Sequence, residues 1–236
     1  MAGVFRFKEF EIEQDRCAMK IGTDGILLGA WANVSDRKRI LDVGTGTGLI
    51  ALMAAQRNGE ASLMGIEPDP DAADQARQNM EGSPWAGRLA VENVRLQDWQ
   101  PDIQYDCILS NPPYFPTGIR SADDRRAAAR HMDGLPLQAL LRHSERLLDE
   151  SGMLSLILPI DQRSPLLSLA EADGWKLRRM VEVKPIAHKP PFRILVELGR
   201  QVLKEPDFQE LTIQSGGANE YSEEFRTLTH PFYLFM

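Results

Sequence analysis

Apolar residues recur along the chain with two alternating periods, one typical of strands and the other of helices. Strands are predicted at Arg39–Val43, Ser62–Ile66, Leu89–Val94, Tyr105–Ser110 and Met153–Leu158, with two more near Lys176–Val183 and Arg193–Leu198. Helices are predicted at Thr47–Arg57, Asp71–Met80, Leu137–Leu148 and Pro165–Ala172. Repeated alternation of this kind indicates an α/β fold, so we predict a seven-stranded, mostly parallel sheet with helices on both faces.

The N-terminal residues precede this repeating pattern. Phe5, Phe7, Phe10 and Ile12 indicate a short hairpin, and Thr23 or Asp24 is the predicted cap of a helix that runs to Trp31. We expect residues 1–34 to pack as a hairpin and helix on a single domain formed by residues 35–236. The stretch Gly118–Gly134 is polar and poorly periodic, so we expect a loop or a short helix over the functional site.

Composition narrows the class of protein. The chain has 236 residues, of which 43% are hydrophobic and 26% charged, and this suits one globular domain with a full core. It lacks both an apolar run of the ~20 residues that span a bilayer and a signal-peptide core. Cys17 and Cys107 lie far apart and the histidines show no metal-ligand spacing, so we expect reduced thiols, no metal site and a cytoplasmic location.

Charge is distributed unevenly. The formal net charge is −7, which argues against indiscriminate coating of nucleic acid. Between Trp175 and Arg193, however, six basic residues accompany one acid, Glu182. A second basic run contains Arg120, Arg125, Arg126 and Arg130. Such runs suit a specific polyanionic partner at one face, although an ordinary solvated surface explains them as well.

The most informative motif is the NPPY sequence at residues 111–114, directly after a predicted strand. Pro112 and Pro113 have no backbone N–H, so the turn offers carbonyl oxygens and the amide side chain of Asn111 with few competing donors. Tyr114 adds a flat ring on which a base that has left its stack can rest. The motif therefore predicts a holder for an –NH2 group on a planar ring or an amide, although it can also simply end a strand.

A second group of residues indicates a nucleoside-binding crevice. Residues 42–48 (DVGTGTG) join the first core strand to its helix, and Gly44, Gly46 and Gly48 let the backbone approach a ligand closely. Glu67 ends the next strand, where a carboxylate can accept hydrogen bonds from both ribose hydroxyls. Asp98 follows the third strand, where an adenine ring is expected, although Gln97 could serve equally. Since these strand ends meet at one edge of an open α/β sheet, we expect the groups to converge.

A nicotinamide dinucleotide is the alternative cofactor. Residues 46–51 satisfy the G-x-G-x-x-A pattern, and Glu67 follows at about the expected distance of ~20 residues. When the pattern is counted from Gly44 at the strand end, however, its last small position falls on Leu49, which obstructs close packing over a pyrophosphate. A hydride transfer also has no need of the acceptor-rich turn at residues 111–114.

Together these motifs resemble the class I S-adenosylmethionine-dependent methyltransferases with a Rossmann-like fold, and in particular those that methylate planar exocyclic or amide nitrogens. The segment 15–31 (DRCAMKIGTDGILLGAW) and the closing residues 232–236 (FYLFM) are in addition similar to the bacterial tRNA1(Val) adenine N(6)-methyltransferase family. That resemblance covers nearly the whole chain. It implies S-adenosylmethionine as cofactor and the adenosine on the 3′ side of the anticodon, adenosine 37, as target.

The resemblance also implies roles for individual residues. Cofactor-binding roles fall to a set of strand-end residues, namely Asp42 near the methionine ammonium, Gly44, Gly46 and Gly48 around the methionine part, Glu67 at the ribose, Asp98 at the adenine, and Asn111. Catalytic and substrate-binding roles fall to the NPPY turn, where Asn111 and Pro112 accept from the target amine and Pro113 and Tyr114 lie against the base. Contacts with RNA fall to a set of basic residues, namely Arg120, Arg125, Arg126 and Lys189. No metal is implied.

Other activities remain open at this point. A protein glutamine N(5)-methyltransferase would use the same turn, but such enzymes carry a helical substrate domain ahead of the core, and only about 38 residues precede Arg39 here. An rRNA adenine or guanine amino-methyltransferase shares the same logic. A non-catalytic RNA-binding factor on this scaffold is a further alternative, which the intact NPPY motif disfavours.

Overall fold

Strands and helices alternate in the computed structural model, which describes residues 3–113, 136–202, 205–216 and 220–235. The strands are β1 Val4–Arg6, β2 Glu11–Glu13, β3 Arg39–Val43, β4 Ser62–Ile66, β5 Leu89–Glu92, β6 Tyr105–Ser110, β7 Leu148–Pro159, β8 Lys176–Ile186, β9 Arg193–Gly199 and β10 Asp207–Gln214. The α-helices are α1 Thr23–Trp31, α2 Leu49–Arg57, α3 Pro70–Glu81, α4 Leu137–Leu147, α5 Arg163–Ala172 and α6 Glu223–Thr229. Short 3-10 turns lie at Ala86–Arg88 and Ile160–Gln162. The loop predicted at Gly118–Gly134 lies outside the described residues.

The central sheet has eight strands in the order β10-β8-β9-β7-β6-β3-β4-β5. Neighbouring strands are parallel except that β9 pairs antiparallel with both β7 and β8. The predicted α/β class is therefore confirmed, but the strand count of seven is wrong by one. The additional strand, β10, lies at an edge and its first four residues are exposed, so it lacks the apolar period of a core strand.

The strand ends at the centre of the sheet lie in register. Val43 at the end of β3 pairs with Ile66 at the end of β4 and with Ser110 at the end of β6. The Ser110 hydroxyl also donates to the Val43 carbonyl at 2.8 Å. The connections that follow these three strands therefore begin side by side at one edge of the sheet.

Side-chain N-caps are present in two of the six described α-helices, α3 and α6. The Asp69 side chain caps α3 by accepting from the backbone N–H of Ala72. In α1, however, the N-cap is Gly22 without a side-chain cap, so the predicted capping roles of Thr23 and Asp24 are wrong. The Asp24 carboxylate instead forms an ion pair with Arg193 at 2.9 Å. This pair joins the start of α1 to the start of β9.

The N-terminal hairpin packs against the main body of the chain. β1 and β2 pair antiparallel, and Phe7, Phe10 and Ile12 are buried in the cluster that also contains the apolar residues of α1 and α2. Phe232 near the C-terminus is buried in the same cluster. The division into residues 1–34 and 35–236 remains a prediction. Among the residues described, no helix is both long and apolar enough to cross a membrane.

Candidate active site

The glycine-rich turn after β3 is built from left-handed backbone. Gly44 has φ +71° and Gly46 has φ +55°, a region that side chains rarely tolerate, and Gly48 also has a positive φ. The turn is held by the Ile66 carbonyl, which accepts from the backbone N–H groups of Gly44 and Thr45. A Cβ added at Gly44 or Gly46 would meet no atom within 4 Å. At Gly44 and Gly46 the turn therefore faces open space, in which a ligand can approach the backbone closely.

Glu67 joins the end of β4 to this turn. One carboxylate oxygen accepts from the Gly46 N–H at 2.9 Å, and the other accepts from the Asp69 N–H at 3.1 Å. Burial raises the pKa of the Glu67 carboxyl, while these two hydrogen bonds lower it in part. Glu67 lies where a ribose is expected, and its hydrogen bonds fix the side chain before any ligand arrives.

Asp42 lies beneath the turn and is only 1% exposed. One of its oxygens accepts from the Thr45 hydroxyl at 2.7 Å, and the other has no hydrogen-bond partner within the described ranges. Burial raises the pKa of the carboxyl to about 7. A nearby cation would favour the ionised form of this carboxyl, and its role toward the methionine ammonium remains a prediction.

Residues 111–113 form the NPP turn, which follows Ser110 at the end of β6. Since Ser110 pairs with Val43 at the end of β3, the NPP turn begins directly beside the glycine turn. Pro112 is buried and Pro113 is exposed. The Asn111 side-chain oxygen is buried and accepts no hydrogen bond from the described residues. A buried acceptor without a donor is unfavourable unless something else supplies one. An N–H group of a ligand is one donor that would satisfy this oxygen, and the role of Asn111 toward the target amine remains a prediction.

A largely apolar hollow connects the two turns. Its lining comes from the ends of β3, β4 and β6 and from the segment after β5, namely Val43, Gly44, Ile66, Pro68, Val94, Arg95, Leu96, Gln97, Ser110, Pro112 and Pro113. Of the residues predicted for the site, Gly44, Pro112 and Pro113 thus share one cavity. A largely apolar lining suits a flat heterocyclic ring.

Some predicted residues lie farther from this hollow. The lining includes Gln97, whereas Asp98 follows it with an exposed side chain, so the adenine role of Asp98 remains a prediction. The hollow is also lined by Pro68, Val94 and Leu96, which no sequence motif predicted. They carry no chemical signal beyond apolar character, and only the fold brings them to the cavity.

Half of the basic residues between Trp175 and Arg193 are paired with acids within the protein. Three of the six form ion pairs, namely Arg179 with Glu197, Lys184 with Glu210 and Arg193 with Asp24. Both interpretations of this run, a surface for a polyanionic partner and an ordinary solvated surface, therefore remain predictions. Lys189 is exposed in the connection between β8 and β9, at the same edge as the NPP turn. Tyr114, Arg120, Arg125 and Arg126 lie outside the described residues.

The fold and the two adjacent turns define a class I methyltransferase. Comparison with known proteins agrees, since residues 19–172 match the family described as "Methyltransferase small domain". Two solved structures support the fold. One, described as a predicted O-methyltransferase from Agrobacterium tumefaciens, is 19% identical with a TM-score of 0.69 and covers 89% of this chain and 96% of its own. The other, Pyrococcus horikoshii TYW2 in complex with MeSAdo, is 13% identical with a TM-score of 0.59. The match covers 84% of this chain and 71% of the TYW2 chain.

Full-length relatives identify the family more closely. A tRNA1(Val) (adenine(37)-N6)-methyltransferase from Parabacteroides distasonis is 46% identical over 98% of both chains. Proteins of the same name from Tolumonas auensis and Aliivibrio fischeri are 44% and 41% identical, over at least 97% of each chain. The chain belongs to the tRNA1(Val) (adenine(37)-N6)-methyltransferase family, and S-adenosylmethionine is its methyl donor.

Proposed function

We propose that this protein transfers a methyl group from S-adenosylmethionine to N6 of adenine 37 in tRNA1(Val). The full-length similarity to proteins of that name supports the choice of target. The observation that carries the chemistry is the buried oxygen of Asn111, which lacks a donor among the described residues and lies beside the glycine turn. An exocyclic amine has two N–H groups and is a suitable partner for such an acceptor.

The cofactor residues have distinct tasks in this proposal. Gly44 and Gly46 leave room for the methionine part, Glu67 accepts from the ribose hydroxyls, and Asp42 favours the nearby ammonium. Bound in this way, S-adenosylmethionine supplies a methyl group on a positively charged sulfur. Asp98 or Gln97 accepts from the adenine amine of the cofactor.

The NPP turn acts on the target amine. The Asn111 side-chain oxygen and the Pro112 carbonyl accept its two N–H groups, which orients the nitrogen and makes its lone pair more available for in-line attack. Bound S-adenosylmethionine would supply the methyl group from its sulfonium, S-adenosylhomocysteine would be the leaving group, and the surplus proton of the methylated nitrogen would pass to water. Since the contribution of these residues is orientation and electrostatics, no covalent intermediate on the protein is required.

The RNA is expected to approach from the strands beyond the NPP turn. In the sheet order, β3 and β4 lie on the cofactor side of β6, whereas β7 and β9 lie on the other side. Lys189 lies at that end, and we propose that it contacts RNA together with Arg120, Arg125 and Arg126. Pro113 and Tyr114 are proposed to hold the flipped base. We retain the prediction that the protein acts in the cytoplasm as an RNA-modifying enzyme.

Incubation of the enzyme with labelled S-adenosylmethionine and unmodified tRNA1(Val) transcript tests the proposal. The matched control is the same transcript with guanine in place of adenine 37. We expect label in N6-methyladenine of the first transcript and none in the second. Equal labelling of both, or labelling of neither by an enzyme that binds the cofactor, would refute the proposed target.

A further inference from the structure

Asn79 on α3 lies between the N-terminal hairpin and the glycine turn. It is 6% exposed, and its side-chain oxygen accepts from the Glu13 N–H at 2.9 Å. Its amide nitrogen donates to the Glu13 carbonyl at 2.8 Å and to the Thr47 carbonyl at 2.8 Å. The side chain therefore forms hydrogen bonds with both the N–H and the carbonyl of Glu13, as the backbone of a neighbouring strand would. It also forms a hydrogen bond with the Thr47 carbonyl in the glycine turn.

The contact with the turn is close. Thr47 lies between Gly46 and Gly48, and a Cβ added at Gly48 would lie 3.3 Å from Met80, the residue after Asn79. The α3 surface thus packs directly against this part of the turn. A buried carbonyl such as that of Thr47 requires a donor, and Asn79 supplies one.

Gln75 lies one helical turn before Asn79 and provides an internal comparison. It is fully buried, and its side-chain oxygen accepts from the Arg16 N–H at 3.2 Å. Gln75 and Asn79 therefore both hold residues of the N-terminal arm, which we define as residues 11–16, against α3. Of these two contacts with the arm, only that of Asn79 extends to the glycine turn.

We propose that Asn79 is a positioning residue that couples the N-terminal arm to the cofactor turn. It holds the Thr47 carbonyl and thereby keeps the turn in the conformation that accepts the methionine part. Order in the arm and affinity for the cofactor are then linked through one side chain. The proposal depends on cofactor binding at the glycine turn and is independent of which RNA is methylated.

The test compares Asn79→Ala with Gln75→Ala by calorimetric titration with S-adenosylhomocysteine. Both variants should lower the unfolding temperature, because each removes a buried side chain together with its hydrogen bonds to the arm. Asn79→Ala should raise the dissociation constant about fivefold or more, as expected for the loss of one hydrogen bond that orders the site. Gln75→Ala should leave it unchanged, and kcat of Asn79→Ala at saturating S-adenosylmethionine should stay close to that of the wild type. Equal dissociation constants for both variants would overturn the proposal.

Two further measurements apply if Asn79→Ala does not fold. Asn79→Asp keeps the acceptor for the Glu13 N–H but has no donor for Thr47, so it should also weaken binding of S-adenosylhomocysteine. In the wild type, S-adenosylhomocysteine should slow hydrogen exchange at the Glu13 amide together with the amides of the glycine turn. Slower exchange in the turn with unchanged exchange at Glu13 would show that arm and turn are not coupled. If cofactor binding and the Asn79 effect persist while tRNA1(Val) is not methylated, the proposed RNA target fails and this inference stands.

Discussion

The substitution Gly44→Ala tests whether the open space beside the glycine turn is the cofactor site. Gly44 has φ +71°, and a methyl group placed there meets no protein atom within 4 Å. In the absence of a ligand the substitution therefore costs only the strain of left-handed backbone, about 1–2 kcal/mol for an L-residue. For a domain of this size we expect the unfolding temperature to fall by about 2–8 °C.

The effect on the cofactor should be larger than the effect on stability. The added methyl projects from a residue that lines the hollow, where the methionine part is expected. Overpacking of one methyl group costs about 1–3 kcal/mol, which corresponds to a loss of affinity of about 5- to 150-fold. Isothermal titration with S-adenosylhomocysteine measures this loss directly.

Gly174 offers a matched control remote from the hollow. It has φ +77°, and an added Cβ would lie 3.4 Å from Arg200, so Gly174→Ala carries a similar backbone strain. It should lower the unfolding temperature by a similar amount and leave cofactor affinity unchanged. If Gly44→Ala binds S-adenosylhomocysteine as tightly as Gly174→Ala does, the cofactor does not lie against this turn.

Three further predictions concern chemistry, pH and stability. Asn111→Ala should reduce kcat by at least about 100-fold, because the target amine loses an orienting acceptor, while the dissociation constant of S-adenosylhomocysteine stays near that of the wild type; a loss of cofactor binding alone would place Asn111 in the cofactor site instead. The folded-state pKa of Asp42, about 7, lies above the ordinary value of 3.8, so its contribution to stability is present at low pH and is lost as pH rises toward and through 7. Denaturant unfolding at pH 5 and pH 8 should show a larger loss of stability in the wild type than in Asp42→Asn, and parallel pH profiles would contradict it. Glu197→Ala leaves Arg179 without its carboxylate and should cost about 2–3 kcal/mol, somewhat less than for a fully buried pair because Arg179 is partly exposed. Arg163 and Glu182 form a more exposed ion pair, so Glu182→Ala should lower the free energy of unfolding by less than about 1 kcal/mol. Denaturant unfolding measures both variants, and equal losses would refute the argument.

The sequence predicted the centre of the fold better than its edges. The bounds of β3, β4 and β6 were predicted to the residue because parallel strands buried on both faces appear as continuous apolar runs. The edge strand β10 has no such run. Its position depends on pairing with β8, which is a long-range interaction that local periodicity does not encode.

The same distinction applies to the site. The glycine turn and the NPP turn could be found because each carries its own chemical pattern, and their approach follows from strands that end at a common edge. The role of Asp24 could not be predicted in this way, because its partner Arg193 is 169 residues away. The contacts of Asn79 were equally hidden, since an asparagine within a helix gives no local sign of the backbone groups that it bonds.

The most direct test of the account is a crystal structure of the enzyme with S-adenosylhomocysteine and an anticodon stem-loop that contains adenine 37. We predict the thioether of S-adenosylhomocysteine against the Gly44 turn and N6 of the adenine within about 3 Å of the Asn111 side-chain oxygen. An adenine bound away from the NPP turn, or an Asn111 oxygen that accepts its hydrogen bond from the protein itself, would contradict the proposed mechanism.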